Sequence, residues 1–200
     1  MSTAKKNGQY SESGIQLTFD RGWVVKRYDQ HTYFQGLSGV GLKGVDFIGI
    51  WEKRELLLLE IKNYRRRPGI TANPIEPYLN QPELLVETFA DKVLDTLKAI
   101  ETIVAYYQRS WFYRLVYPVL TRLPTSPAER VFWTHAYDIF TRRKRLLLVF
   151  WMELDPDQKA FFDLLQPLLE EKLKEFSDRI YLSGTHRLTF EQGLTVHLKT

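Results

Sequence analysis

The segment GVDFIGIWEKRELLLLEIKNYR, residues 44–65, constrains this chain more than any other. Two apolar runs, 45–51 and 55–62, flank the polar turn Glu52-Lys53-Arg54, which is the pattern of a β-hairpin. Four consecutive leucines, Leu56 to Leu59, promise a buried strand. Because strand side chains alternate, Leu56, Leu58, Glu60 and Lys62 share one face, and Leu57, Leu59 and Ile61 the other. On the first strand Asp46, Ile48 and Ile50 stand together, opposite Val45, Phe47 and Gly49. A turn centred on Lys53 then sets Asp46 directly across from Glu60.

Cross-strand neighbours on one face have Cβ atoms about 4.5–5.5 Å apart, and two carboxylates that close repel. A cation relieves the repulsion. Lys62 is one, and a hard divalent metal such as Mg²⁺ (or Mn²⁺), which takes oxygen ligands, is another. An adjacent lysine can orient or deprotonate a hydrolytic water. Singly these residues are ordinary: Glu-x-Lys also makes a surface ion pair, and an aspartate after a glycine also opens a turn. The weight lies in their conjunction on one hairpin.

That conjunction, GVDF followed by LLLLEIK, resembles the PD-(D/E)XK, restriction-endonuclease-like nuclease superfamily. The resemblance implies an α/β restriction-endonuclease-like core, with a mixed central sheet flanked by helices. It implies metal binding by Asp46 and Glu60 and service to the hydrolytic water by Lys62. The implied activity is Mg²⁺- or Mn²⁺-dependent hydrolysis of nucleic-acid phosphodiesters, DNA foremost. The alternative is a catalytically inactive nuclease-fold module for nucleic-acid binding or assembly. The family's order of hairpin, helix and further strand matches 45–62, 83–108 and 145–154, about half the chain. Its usual N-terminal helix is replaced here by strand-like patterning. The upstream acidic position therefore falls to Asp29, Asp20 or Glu12, and "VD" stands where the family has "PD". The basic residues Lys43, Arg65, Arg66 and Arg67 flank the hairpin where a phosphodiester backbone would run.

Elsewhere, residues 1–13 read as a flexible tail and 14–200 as one domain, with a helical or loop insertion at about 103–130. IQLTF (15–19) and WVVKRY (23–28) read as an antiparallel strand pair, and GLSGVGLKG (36–44) as a glycine-rich loop. Five prolines and glycines make 65–82 an irregular crossing. Helical spacing covers 83–108, 110–121 and 155–176, with Pro167 a kink. RLLLVFWMEL (145–154) is a strand covered on both faces, and short strands near 180–182 and 194–198 complete the sheet.

The chain contains no cysteine, which excludes disulfides, thiolate nucleophiles and cysteine-based metal sites. His31, His135, His186 and His197 have no metal-ligand spacing, and no phosphate loop or G-x-S-x-G elbow occurs. The opening MSTAKKNGQYSESG lacks the apolar core of a signal peptide, and the apolar stretch 103–120 is broken by Arg109, Arg114 and Pro118. The expectation is a cytoplasmic protein without a membrane partner. The net charge of +4 does not identify a partner. The interleaved YYQRSWFYRLVY (106–117) fits a helix shoulder or a homodimer surface, and less often a base-stacking surface.

Overall fold

Apolar alternation sorts this chain into two cores on opposite faces of one sheet. The structure, a computed structural model, describes residues 8–38, 42–66, 73–143, 145–190 and 193–198. In chain order the elements are β1 (Gly8–Glu12), β2 (Ile15–Phe19), β3 (Trp23–Arg27), α1 (Thr32–Ser38), β4 (Phe47–Trp51) and β5 (Glu55–Asn63). There follow α2 (Glu76–Leu79), α3 (Pro82–Gln108), α4 (Trp111–Leu120), α5 (Glu129–Asp138), β6 (Leu146–Glu153), α6 (Ala160–Leu173), β7 (Ile180–Ser183) and β8 (Leu194–Leu198).

The main sheet is mixed, in the order β3-β4-β5-β6-β7. The first three strands are antiparallel, and β5, β6 and β7 are parallel, which requires crossovers through α2–α5 and through α6. The hairpin has the register its spacing predicts: Phe47 lies opposite Leu59 and Trp51 opposite Glu55. Its turn puts Glu52 and Lys53 at φ 44° and 58°, left-handed angles that suit the strand twist in tight hairpins. Ile48, Ile50, Leu56 and Leu58 join Leu146, Leu148, Phe150 and Met152 in a core covered by α3, α5 and α6. Phe47, Leu57, Leu59 and Ile61 join Leu147, Val149 and Trp151 in the second core, under β2 and β8. Val45 breaks the alternation and lies in the helical core, because strand pairing has not begun there.

Several expectations need correction. Helices cover one face of the central sheet, and a second, antiparallel sheet β1-β2-β8 covers the other. Gly8–Glu12 is a strand on the edge of that sheet rather than part of a flexible tail; residues 1–7 lie outside the described ones. β2 and β3 do not pair with each other. The turn at Asp20–Gly22 carries the chain from one layer to the other, so Phe19 and Trp23 meet across the core, centroids 6.3 Å apart. Of the last two strands, β7 completes the main sheet and β8 the small one. The glycine-rich loop begins inside α1, and α5 begins at Glu129, inside the stretch PTSPAER (124–130) that reads as punctuation, and continues where no element was foreseen. Residues 103–108 are the uninterrupted end of α3, with Ile103, Val104 and Tyr107 in the core.

Candidate functional site: a buried carboxylate pair with two lysines

The hairpin ladder ends at the pair Phe47 and Leu59, and just beyond it Asp46 and Glu60 lie close enough for the charge of Glu60 to act on Asp46. Both carboxylates are buried, Glu60 to 1% exposure and Asp46 to 8%. They lie at the carboxyl end of β5 where it runs parallel to β6, the end at which open α/β sheets bind ligands. Asp46 is fixed by its Oδ2, which accepts the Ile61 N–H at 2.7 Å. Lys62, two residues past Glu60 on the same face, sets its Nζ 2.8 Å from Glu60 Oε1.

A second ammonium arrives from α3. Lys92 Nζ lies 2.6 Å from the same Glu60 oxygen. The helix is held in place by Phe89, which stacks on Phe150 with centroids 4.8 Å apart, and by Thr96. The Thr96 hydroxyl accepts the Val45 N–H at 3.1 Å and donates to the Lys92 carbonyl at 2.7 Å. α3 is thereby tied to the residue before Asp46. Sequence reasoning missed Lys92, although a signal existed: a lysine on the stripe that otherwise carries Phe89, Val93, Thr96 and Ile100.

The electrostatics follow from burial. Burial, then the charge of Glu60, pushes Asp46 up to about 7, against Lys92, the Ile61 N–H and Lys62, which pull it down. Burial disfavours the Lys62 ammonium, but Glu60 and then Asp46 outweigh it, so Lys62 titrates above its usual range. Lys62 is thus a fixed cation, suited to orienting a water or phosphate oxygen rather than to removing a proton. Burial, with Tyr78 and Glu60 beside it, keeps the Tyr64 hydroxyl protonated.

The other sequence candidates are dispersed. Glu12 and Asp29 both pair with Arg27, whose guanidinium lies over the Phe47 ring on the opposite face of the sheet. Asp20 is in the turn before β3, whose N-terminal residue Trp23 pairs with Trp51, at the far end of β4 from Asp46. None of the three joins the carboxylate pair. Lys43 is engaged on α3, with Asp91 at 3.0 Å and its backbone N–H on Asp95. Arg66 pairs with Asp155 and Asp157, and Arg65 has no carboxylate partner among the described residues. Arg67 lies outside the described residues.

The residues present fit a cation in one respect: Glu60 Oε2 is buried and accepts no hydrogen bond. A buried acceptor without a donor is costly, and two opposed carboxylate oxygens suit a hard divalent ion. Among the described residues no third acidic residue or histidine joins the pair. In comparisons with known proteins, no protein-family model, no curated protein and no solved structure matches this chain.

Proposed function

We propose that this chain is a metal-dependent nuclease with a restriction-endonuclease-like core, acting on DNA in the cytoplasm. One observation carries the reading: Glu60, buried with one oxygen unpartnered, lies beside Asp46 with the Lys62 ammonium 2.8 Å away. Asp46 and Glu60 would hold the ion, and Lys62 would orient the attacking water or the scissile phosphate. Such an ion, when bound, polarises the phosphodiester and makes a water nucleophilic. Lys92 balances the charge of Glu60, and among the described residues Arg65 is a cation without a carboxylate partner that could meet the nucleic-acid strand beyond the site. Cleavage of plasmid and linear DNA in Mg²⁺ or Mn²⁺ tests this. Asp46→Ala, Glu60→Gln and Lys62→Ala, each checked for fold by circular dichroism, should lose about 10²-fold or more in rate. Equal cleavage by wild type and all three variants would place the activity elsewhere.

A second reading has its own observation. Lys92 and Lys62 both bond Glu60 Oε1, so two ammoniums already neutralise the pair without a metal. That arrangement suits an inactive nuclease-fold module, which would bind nucleic acid in a salt-sensitive way and leave it intact at any metal concentration.

A further inference from the structure

The aromatic and basic segment at the end of α3 plays no part in the carboxylate site. α3 ends at Gln108, the chain turns at Arg109 and Ser110, and α4 starts at Trp111 against α5. In this corner lies an open cavity of about 350 Å³, lined by Tyr106, Tyr107, Arg109, Ser110, Tyr113 and Arg130. Its size falls within the range of about 300–1,000 Å³ typical of small-ligand pockets. No carboxylate among the described residues lines it. Among the described residues neither Arg109 nor Arg130 has an acidic partner, whereas Arg27, Arg66, Arg142 and Arg187 all do. Glu129, beside Arg130 in sequence, is directed elsewhere: it takes Lys26, His31 and the Trp133 indole N–H. Two guanidinia thus line a concave surface without an ion-pair partner among the described residues, although the Glu129 charge reaches Tyr107 beside them, a disposition that matches phosphate.

The wall between them is aromatic. Tyr106 is 62% exposed, and its ring also borders an adjoining apolar hollow of about 240 Å³ lined by Tyr33, Thr102 and Ile103. An anion at the arginines and a planar ring on Tyr106 would satisfy both hollows at once. We propose that this corner is a second binding site, for a nucleotide moiety, with its phosphate between Arg109 and Arg130 and its base against Tyr106. The moiety can come from a free mononucleotide or from an unpaired nucleic-acid strand, since phosphate and base are the same in both. Tyr107 follows Lys92 by fifteen residues on one helix, about 22 Å at 1.5 Å per residue, so a single nucleotide cannot reach both sites.

The test uses the full chain in EDTA, so it is independent of cleavage and of metal at Asp46 and Glu60. AMP is titrated by calorimetry and a short fluorescein-labelled oligo(dT) by anisotropy, with inorganic phosphate alongside. Saturable binding of AMP assigns the site to free nucleotide, and binding of the oligonucleotide alone assigns it to an unpaired strand. In either case Arg109→Ala and Arg130→Ala, both at exposed positions, should each weaken binding about tenfold. Tyr106→Ala should weaken AMP or oligonucleotide binding by a similar factor while sparing inorganic phosphate. No saturable binding of either probe below about 1 mM, or binding unaltered in an Arg109→Ala/Arg130→Ala double variant, overturns the proposal.

Discussion

Between about pH 4 and about pH 7, Asp46 holds a proton in the folded protein that the unfolded chain releases. Its pKa, about 7 against 3.8 for an ordinary aspartate, is raised by burial and by Glu60. A raised pKa gives stability that is complete below the unfolded value and lost as the pH climbs through the folded one. Asp46→Asn keeps an oxygen for the Ile61 N–H and removes the charge. It should therefore be more stable than wild type by an amount that grows from about pH 4 to about pH 7, reaching on the order of 2–4 kcal/mol. Urea unfolding at several pH values checks this, and a difference that does not change with pH would contradict it. Lys92 works in the opposite direction. With Lys92→Met, Glu60 keeps only Lys62, and stability should fall by about 1–3 kcal/mol in the same assay. The two residues also differ in legibility. Asp46 and Glu60 come together at the end of a short hairpin whose register follows from alternation and a turn at Lys53. Lys92 reaches Glu60 across 32 residues of chain, through the docking of α3, which no local pattern encodes.

Among the elements, α4 departs furthest from the usual arrangement of apolar residues. Trp111, Phe112, Leu115 and Val119 are all exposed, and only Tyr113 is buried. Its hydroxyl shares a hydrogen bond with Thr134 on α5, and its ring meets Tyr107 at 5.3 Å between centroids. Tyr117 and Leu120 add part-buried contacts with the core, and the Leu120 carbonyl meets His135 Nε2 at 2.9 Å, but Tyr113 is the fully buried anchor of the helix. Trp111→Gln with Leu115→Gln should change stability by no more than about 0.5 kcal/mol, whereas Tyr113→Ala should cost about 3 kcal/mol, both read from chemical unfolding. Helical periodicity located α4 and α3 almost to the residue. It could not indicate that α4 presents its apolar side outward, since the pattern of an amphipathic helix is the same whether a core or solvent meets it. β2 and β3 show the same limit for strands. Their composition marked them as strands, but partner choice was decided by Ile15, Leu17 and Phe19 packing face-on against β4 and β5.

At the scale of the whole molecule, the five-stranded sheet is dry on both faces, with helices on one and the small sheet on the other. This is why β5 and β6 read as unbroken apolar runs: Leu56 to Leu59, and Leu146 to Met152. No helix among the described residues is long and apolar enough to cross a membrane. Within so dry a sheet, Glu153 on β6 is one buried carboxylate exception, satisfied through Oε1 by Trp151 and Thr185, and the pair at the end of β5 is another, with half of its neutralising charge brought from a helix. Whether that exception is a cation site is the central question, and Mn²⁺ binding at about pH 8, where Asp46 is ionised, answers it most directly. Calorimetry with wild-type protein should show one saturable Mn²⁺ site that weakens at least tenfold in Glu60→Gln and in Asp46→Asn. Absence of saturable binding up to several millimolar, or equal binding in both variants, would mean that the lysines alone hold the pair and that the site is structural.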